Sequence, residues 1–356
     1  MWRQALNDNE IAPASWFWPG GGSGALRHSG HLASPPCRSG HNARRGREVF
    51  LRLRATDASR IFCPPAGDGG LLEETPGTIS WRSPAASVPE FPANGRARAV
   101  LYRVRPDAPT IIMLHALMSA SDVGYRLWAR RFNSLGWNAV FVHLPFHYSR
   151  RPRGHLNGEL CCTADLVLTG DTLRQAVVEI RQLMARLRVE GGGEFGLLGT
   201  SYGGWVAAIL ASLEPDLRFL ALLAPMVNIG YALYEGPTSW AIRGNLMRAG
   251  LDRILVDRHA HLSSPLRAPP AGHVAARTVI VGGAFDCIVR LVDLEALRES
   301  WPGSELLTVP QAHFGYGMIP EAVEWLGARH LLEPGRSEPE PLGNSYGRRI
   351  AAKAAQ

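Results

Sequence analysis

A serine hydroxyl is a poor nucleophile unless a strained turn exposes it and a base serves it. Gly199-Thr200-Ser201-Tyr202-Gly203-Gly204 has the pattern of such a turn. Small residues on either side of Ser201 let a strand and the following helix pack closely while the serine stands clear. Phe195-Gly196-Leu197-Leu198 reads as the strand before it, and Trp205-Val206-Ala207-Ala208-Ile209-Leu210 as the helix after it. The helix start also aims free amides and a positive dipole end at the place where an oxyanion would form.

The base and its acid are expected further along, at the ends of later strands. Leu306-Leu307-Thr308-Val309 is an apolar run, and His313 sits in the loop behind it. Thr278-Val279-Ile280-Val281-Gly282-Gly283 leads through Ala284-Phe285 into Asp286. A carboxylate in that place would fix the imidazole tautomer and stabilise the imidazolium. The second oxyanion donor is expected in the turn after Ile111-Ile112-Met113-Leu114, where His115-Ala116-Leu117-Met118 follows. The expected donors are the backbone amides of Tyr202 and Leu117, with Met118 the alternative to Leu117, and His115 braces the loop.

These residues need a sheet to hold them. Eight strands are predicted, at Thr78–Arg82, Ala97–Val104, Thr110–His115, Asn138–Leu144, Glu194–Thr200, Phe219–Ala224, Val279–Gly283 and Glu305–Val309. Helices are predicted at Tyr125–Leu135, Thr172–Arg188, Gly203–Leu213, Val292–Trp301 and Glu321–Arg329. In the second helix Leu173, Val177, Ile180, Met184 and Leu187 recur at spacings of three and four, which makes one face apolar. Alternation of strand and helix implies an α/β fold with a mostly parallel eight-stranded sheet covered on both faces.

One segment breaks the rhythm. Residues 229–273 are too long for a plain connection and read as a cap inserted after the sixth strand. Met118 and the cap aromatics Tyr231, Tyr234 and Trp240 are the candidate substrate-binding residues. Residues 1–75 read as a disordered or spurious extension and 332–356 as a disordered tail, which leaves 76–331 as the working domain.

Composition sets the outer limits. With 46% apolar and 19% charged residues over 356 positions, the chain has the make-up of a globular enzyme. No apolar stretch is long enough for a membrane span. The net charge of +7 comes almost wholly from arginine, since Lys353 is the sole lysine. No basic face interleaved with aromatics marks a nucleic-acid partner. Five cysteines in unpaired spacing suggest a reducing, cytoplasmic setting. His143 and His147 flank Pro145, and His259 and His261 have only Asp257 beside them, so no metal site is expected.

Over residues 76–331 the chain resembles the α/β-hydrolase family. The elbow around Ser201 is similar to those of dienelactone-hydrolase-like and prolyl-oligopeptidase-like enzymes. His115-Ala116-Leu117 resembles the oxyanion turn of homoserine acetyltransferases, with Ala116 where glycine is usual. The resemblance implies a triad of Ser201, Asp286 and His313, an acyl-serine intermediate, no cofactor and a small-molecule ester as substrate. Acyl transfer or peptide cleavage by the same triad, and a non-catalytic binding module, are the alternatives. The oligomeric state is not legible.

Overall fold

Four mostly apolar runs are strands buried on both faces. In the computed structural model, which describes residues 62–64, 73–86 and 90–335, these are β4 (Thr110–Leu114), β5 (Asn138–His143), β7 (Leu217–Leu223) and β8 (Thr278–Gly283). Every residue of the four is buried, as parallel strands covered by helices require. The others are β1 (Glu73–Thr75), β2 (Thr78–Arg82), β3 (Arg96–Tyr102), β6 (Phe195–Thr200) and β9 (Glu305–Val309).

The sheet order is β1-β2-β3-β5-β4-β6-β7-β8-β9. All eight expected strands are present, but among the described residues the sheet has nine and is mixed. β1, β2, β3 and β5 pair antiparallel in succession, and the ladder is parallel from β5 through β9. The connection between β1 and β2 is only Pro76-Gly77, too short for a parallel crossover. β1 escapes sequence reading because Glu73-Glu74-Thr75 has no apolar member. At this end one face is exposed: Ala97, Ala99 and Leu101 of β3 point inward while Arg96 and Arg98 face out.

The helices are α1 (Val123–Ser134), α2 (Leu166–Val189), α3 (Tyr202–Leu213), α4 (Ile229–Tyr234), α5 (Trp240–Arg248), α6 (Arg253–His259), α7 (Gly272–Ala275), α8 (Leu291–Ser300) and α9 (Met318–Ala328). α2 starts six residues before its predicted place, because the Asp165 carboxylate accepts from the Val167 and Leu168 amides at 3.0 and 3.1 Å. Such a cap contributes about 1 kcal/mol. The apolar stripe Leu173, Val177, Ile180, Met184 and Leu187 is buried as its spacing requires. Helices α4 to α6 lie in the segment between β7 and β8 and share a small core of Leu233, Tyr234, Leu246 and Val256.

Phe62 belongs to the main core, and the Arg181 guanidinium donates to its carbonyl at 2.7 Å. Together with β1 this carries folded structure upstream of residue 76. The disordered tail expected from residue 332 is corrected at its start, because Leu332 is buried in the main core and its carbonyl accepts from Trp137 Nε1 at 2.8 Å. The disorder expected for most of residues 1–75 and for 336–356 lies outside the described residues.

The strand order sets where the site falls. β4 is flanked by β5, reached through α1, and by β6, reached through α2, so the chain leaves β4 and β6 toward opposite sides. A crevice at the carboxyl ends of the strands forms at such a reversal. The turns after β4 and β6 meet there, with Leu114 beside Gly199 in register.

Candidate active site

Ser201 lies between β6 and α3 with φ 52° and ψ −112°, a left-handed backbone for a residue with a side chain. Such strain persists only where neighbours impose it. Here the Ser201 amide donates to Leu223 at 2.8 Å, and its carbonyl accepts from Trp205 at 3.0 Å and Met226 at 3.1 Å. The elbow glycines are required by close approach. A Cβ on Gly203 would lie 2.4 Å from the Leu114 carbonyl oxygen, and one on Gly199 would lie 2.5 Å from that of Gly203. Without side chains there, α3 packs directly against the ends of β4 and β6.

The Ser201 hydroxyl lies 3.0 Å from His313 Nε2, and His313 Nδ1 lies 2.7 Å from Asp286 Oδ2. The other Asp286 oxygen accepts from the Ile288 and Val289 amides at 2.8 and 2.9 Å, which fixes the carboxylate plane. With Nδ1–H donating to Asp286, Nε2 presents a lone pair to the serine. The Asp286 side chain is fully buried and that of His313 nearly so. The three groups come from the ends of β6, β8 and β9 and stand in one hydrogen-bonded line.

Leu117 and Met118 occupy the turn after β4, where the Ser119 amide donates back to Ala116 at 3.3 Å. Among the described residues, no acceptor meets the amides of Leu117 or Met118. Tyr202 is the first residue of α3, so its amide has no partner within the helix. His115 is buried: Nδ1 donates to the Ala116 carbonyl at 2.9 Å and Nε2 accepts from the Leu144 amide at 3.2 Å. Burial and the neighbouring His147 hold its pKa well below the ordinary histidine value. A neutral brace for the loop is the result.

The residues expected to bind substrate are dispersed. Met118 is exposed beside the serine turn, with φ 56°. The Tyr231 hydroxyl donates to the Cys287 carbonyl at 2.8 Å, and the Arg290 guanidinium lies 3.9 Å from its ring centre. Tyr231 therefore ties the segment between β7 and β8 to the loop that carries Asp286. Tyr234 is buried in the small core that α4 to α6 share, with its hydroxyl donating to the Leu251 carbonyl, and Trp240 is 75% exposed. Among the described residues, no group of three or more His, Cys, Asp or Glu could hold a metal ion, and no helix is long and apolar enough to cross a membrane.

The irregular segment between β5 and α2 contributes residues that sequence reading missed. Arg150 and Glu179 form a fully buried bidentate pair at 2.6 and 2.8 Å. Arg150 also donates to the carbonyls of His143 and Asn94, and Gln175 bridges Asn94 to Glu179. His143, at the end of β5, and His147, in this segment, are buried nearby. The signal in sequence was the polar pair Gln175 and Glu179, spaced i, i+4 beside the apolar stripe of α2.

A sequence model for the family "alpha/beta hydrolase domain containing 18" matches residues 125–242, which include the Ser201 elbow but not Asp286 or His313. Two uncharacterized proteins from two strains of Mycobacterium tuberculosis are each 26% identical to this chain. The matches cover 86% and 81% of this chain and 70% and 66% of those proteins. An acetyl xylan esterase from a Paenibacillus species superposes with a TM-score of 0.53 at 14% identity, covering 78% of this chain and 92% of the esterase. Sheet order, elbow and these likenesses agree: the chain has the α/β-hydrolase fold and is similar to the α/β-hydrolase family over residues 125–242, its subfamily open.

Proposed function

We propose that this protein is a serine hydrolase that cleaves a carboxylic ester through an acyl-serine intermediate. The single observation that carries the reading is the line from Ser201 through His313 to buried Asp286, at 3.0 and 2.7 Å, with the serine on a strained elbow. Ser201 Oγ attacks the ester carbonyl as its proton passes to His313 Nε2. The resulting imidazolium is stabilised by Asp286, and the developing oxyanion accepts from the amides of Tyr202 and Leu117. His313 then returns the proton to the departing alcohol oxygen. Water, deprotonated by the same nitrogen, attacks the acyl-serine and releases the acid. One oxyanion donor of this type is worth about 10²–10³ in kcat.

The loops that carry the triad also present exposed apolar side chains. Phe285 precedes Asp286 and is 70% exposed, and Phe314 follows His313 and is 77% exposed. Met118 and Tyr316 are exposed on the neighbouring turns. A substrate with an apolar portion beside its ester would cover them. The structural relative with the shared fold is an acetyl xylan esterase, which favours ester chemistry. Cys63 and Cys287 are exposed free thiols, and they suit a reducing compartment.

The test is fluorophosphonate labelling of the full chain beside Ser201→Ala, followed by turnover of p-nitrophenyl esters of graded chain length. Labelling and turnover are expected for the wild type and absent from the variant. A folded wild type that neither labels nor turns over would refute the assignment.

A further inference from the structure

We propose that Asn157 and Tyr148 clamp the turn at residues 116–119 in the conformation that points its amides at the substrate oxygen, so that Asn157 is a positioning residue for the chemistry of Ser201. This inference rests on the serine-hydrolase reading above. It names residues outside the triad and outside both oxyanion donors.

The turn needs an external hold. Met118 sits at φ 56°, a left-handed conformation that a residue with a side chain rarely adopts. Ala116, where a glycine would be freer, adds a side chain to the same turn. A loop in this state relaxes unless its surroundings over-determine it. Relaxation would rotate the Leu117 and Met118 amides away from the serine.

Three attachments supply the hold. His115 grips the start of the turn through the Ala116 carbonyl. At its end, the Ser119 hydroxyl shares a hydrogen bond with the Tyr148 hydroxyl at 2.8 Å. Asn157 joins the two segments with both ends of one side chain: its Nδ2 donates to the Ser119 carbonyl, and its Oδ1 accepts from the Tyr148 amide at 2.6 Å. A side-chain amide can donate to a carbonyl and accept from an N–H at once, in a single plane.

The clamp has a stiff backing. Tyr148 and Phe146 are themselves at φ 51° and 61°, so their segment is held out of relaxed geometry too. The Phe146 amide donates to Asn94, and the Gly158 amide donates to the Phe146 carbonyl at 3.0 Å. Two residues beyond Tyr148, Arg150 is locked on Glu179 of α2. Strain at Met118 is thus transferred through Asn157 and Tyr148 to a long helix packed on the core.

The test compares Asn157→Ala, Asn157→Asp and Tyr148→Phe with the wild type, using p-nitrophenyl butyrate turnover, the rate of fluorophosphonate labelling and thermal unfolding. Asn157→Asp keeps the acceptor for the Tyr148 amide and loses the donor to Ser119, so it isolates the donation. The expected result is a kcat loss of about 10-fold to 100-fold in both Asn157 variants, with KM within about twofold, because a misplaced donor weakens the transition state more than the ground state. Labelling slows by the same factor. Tyr148→Phe is expected to lose less, to unfold near the wild-type temperature, and to be non-additive with Ser119→Ala. Retention of kcat within twofold in both Asn157 variants overturns the clamp while leaving the serine assignment intact. So does a loss that follows lowered unfolding temperature alone, with no split between kcat and KM. A wild type that does not label at Ser201 overturns both.

Discussion

Acid is expected to destabilise this protein before its carboxylates titrate, because three buried histidines lie behind the turn that follows β4. His115 and His147 are fully buried with ring centres 4.5 Å apart, and His143 stacks on Tyr148 at 5.0 Å. Burial, then Arg98, Arg150 and His147, lowers the pKa of His143 to about 4. Burial chiefly, with Arg150 adding and a bond to the Pro145 carbonyl opposing, brings His147 to about 4 as well. In the unfolded chain each would titrate near its ordinary value of about 6.5. As pH falls from 6.5 toward 4 the unfolded state takes up protons that the folded state refuses, so stability is present above this window and lost within it. At pH 5 each group costs about 2 kcal/mol relative to pH 8, or about 4 kcal/mol for the two. Against a total stability of about 5–15 kcal/mol, that is a large fraction. His115 adds in the same direction, since protonation of Nε2 would set an N–H against the Leu144 amide. Urea unfolding at pH 8, 6.5, 5.5 and 5, followed by tryptophan fluorescence, reads the effect. His143→Gln is expected to remove about half of the slope assigned to His143 and His147. A stability that falls by less than about 1 kcal/mol between pH 8 and pH 5 would refute the reasoning, as would a slope unchanged in the variant.

Two further outcomes follow from packing. Gly203→Ala places a methyl group against the Leu114 and His115 carbonyls, at 2.4 and 2.6 Å in the present backbone; an overpacking loss of about 1–3 kcal/mol by denaturant titration is expected, with ester turnover reduced even where the variant is folded. Arg150→Met strands Glu179 without its partner, and a loss of about 3–5 kcal/mol is expected, with part of it recovered when Glu179→Met is added.

What the sequence could reveal was local. Ser201, Asp286 and His313 stand out because each follows an apolar run closely, and those runs are recognisable as strands from their local pattern alone. The apolar stripe of α2 is legible for the same reason. β1 was not, since three polar residues take their structure from pairing with β2 rather than from any pattern of their own.

Tertiary structure decided how the groups meet. Ser201 and His313 are 112 positions apart, and only the parallel order of β6 through β9 brings their ends within hydrogen-bonding reach. The segment from 144 to 165 has no helical or strand period, so nothing in it announces that Asn157 reaches Ser119 across 38 positions or that Arg150 meets Glu179 across 29. Periodicity encodes which side chains face a core. It carries no record of which irregular loop will lie against which turn, because that depends on where β4 and β5 place their ends in the finished sheet.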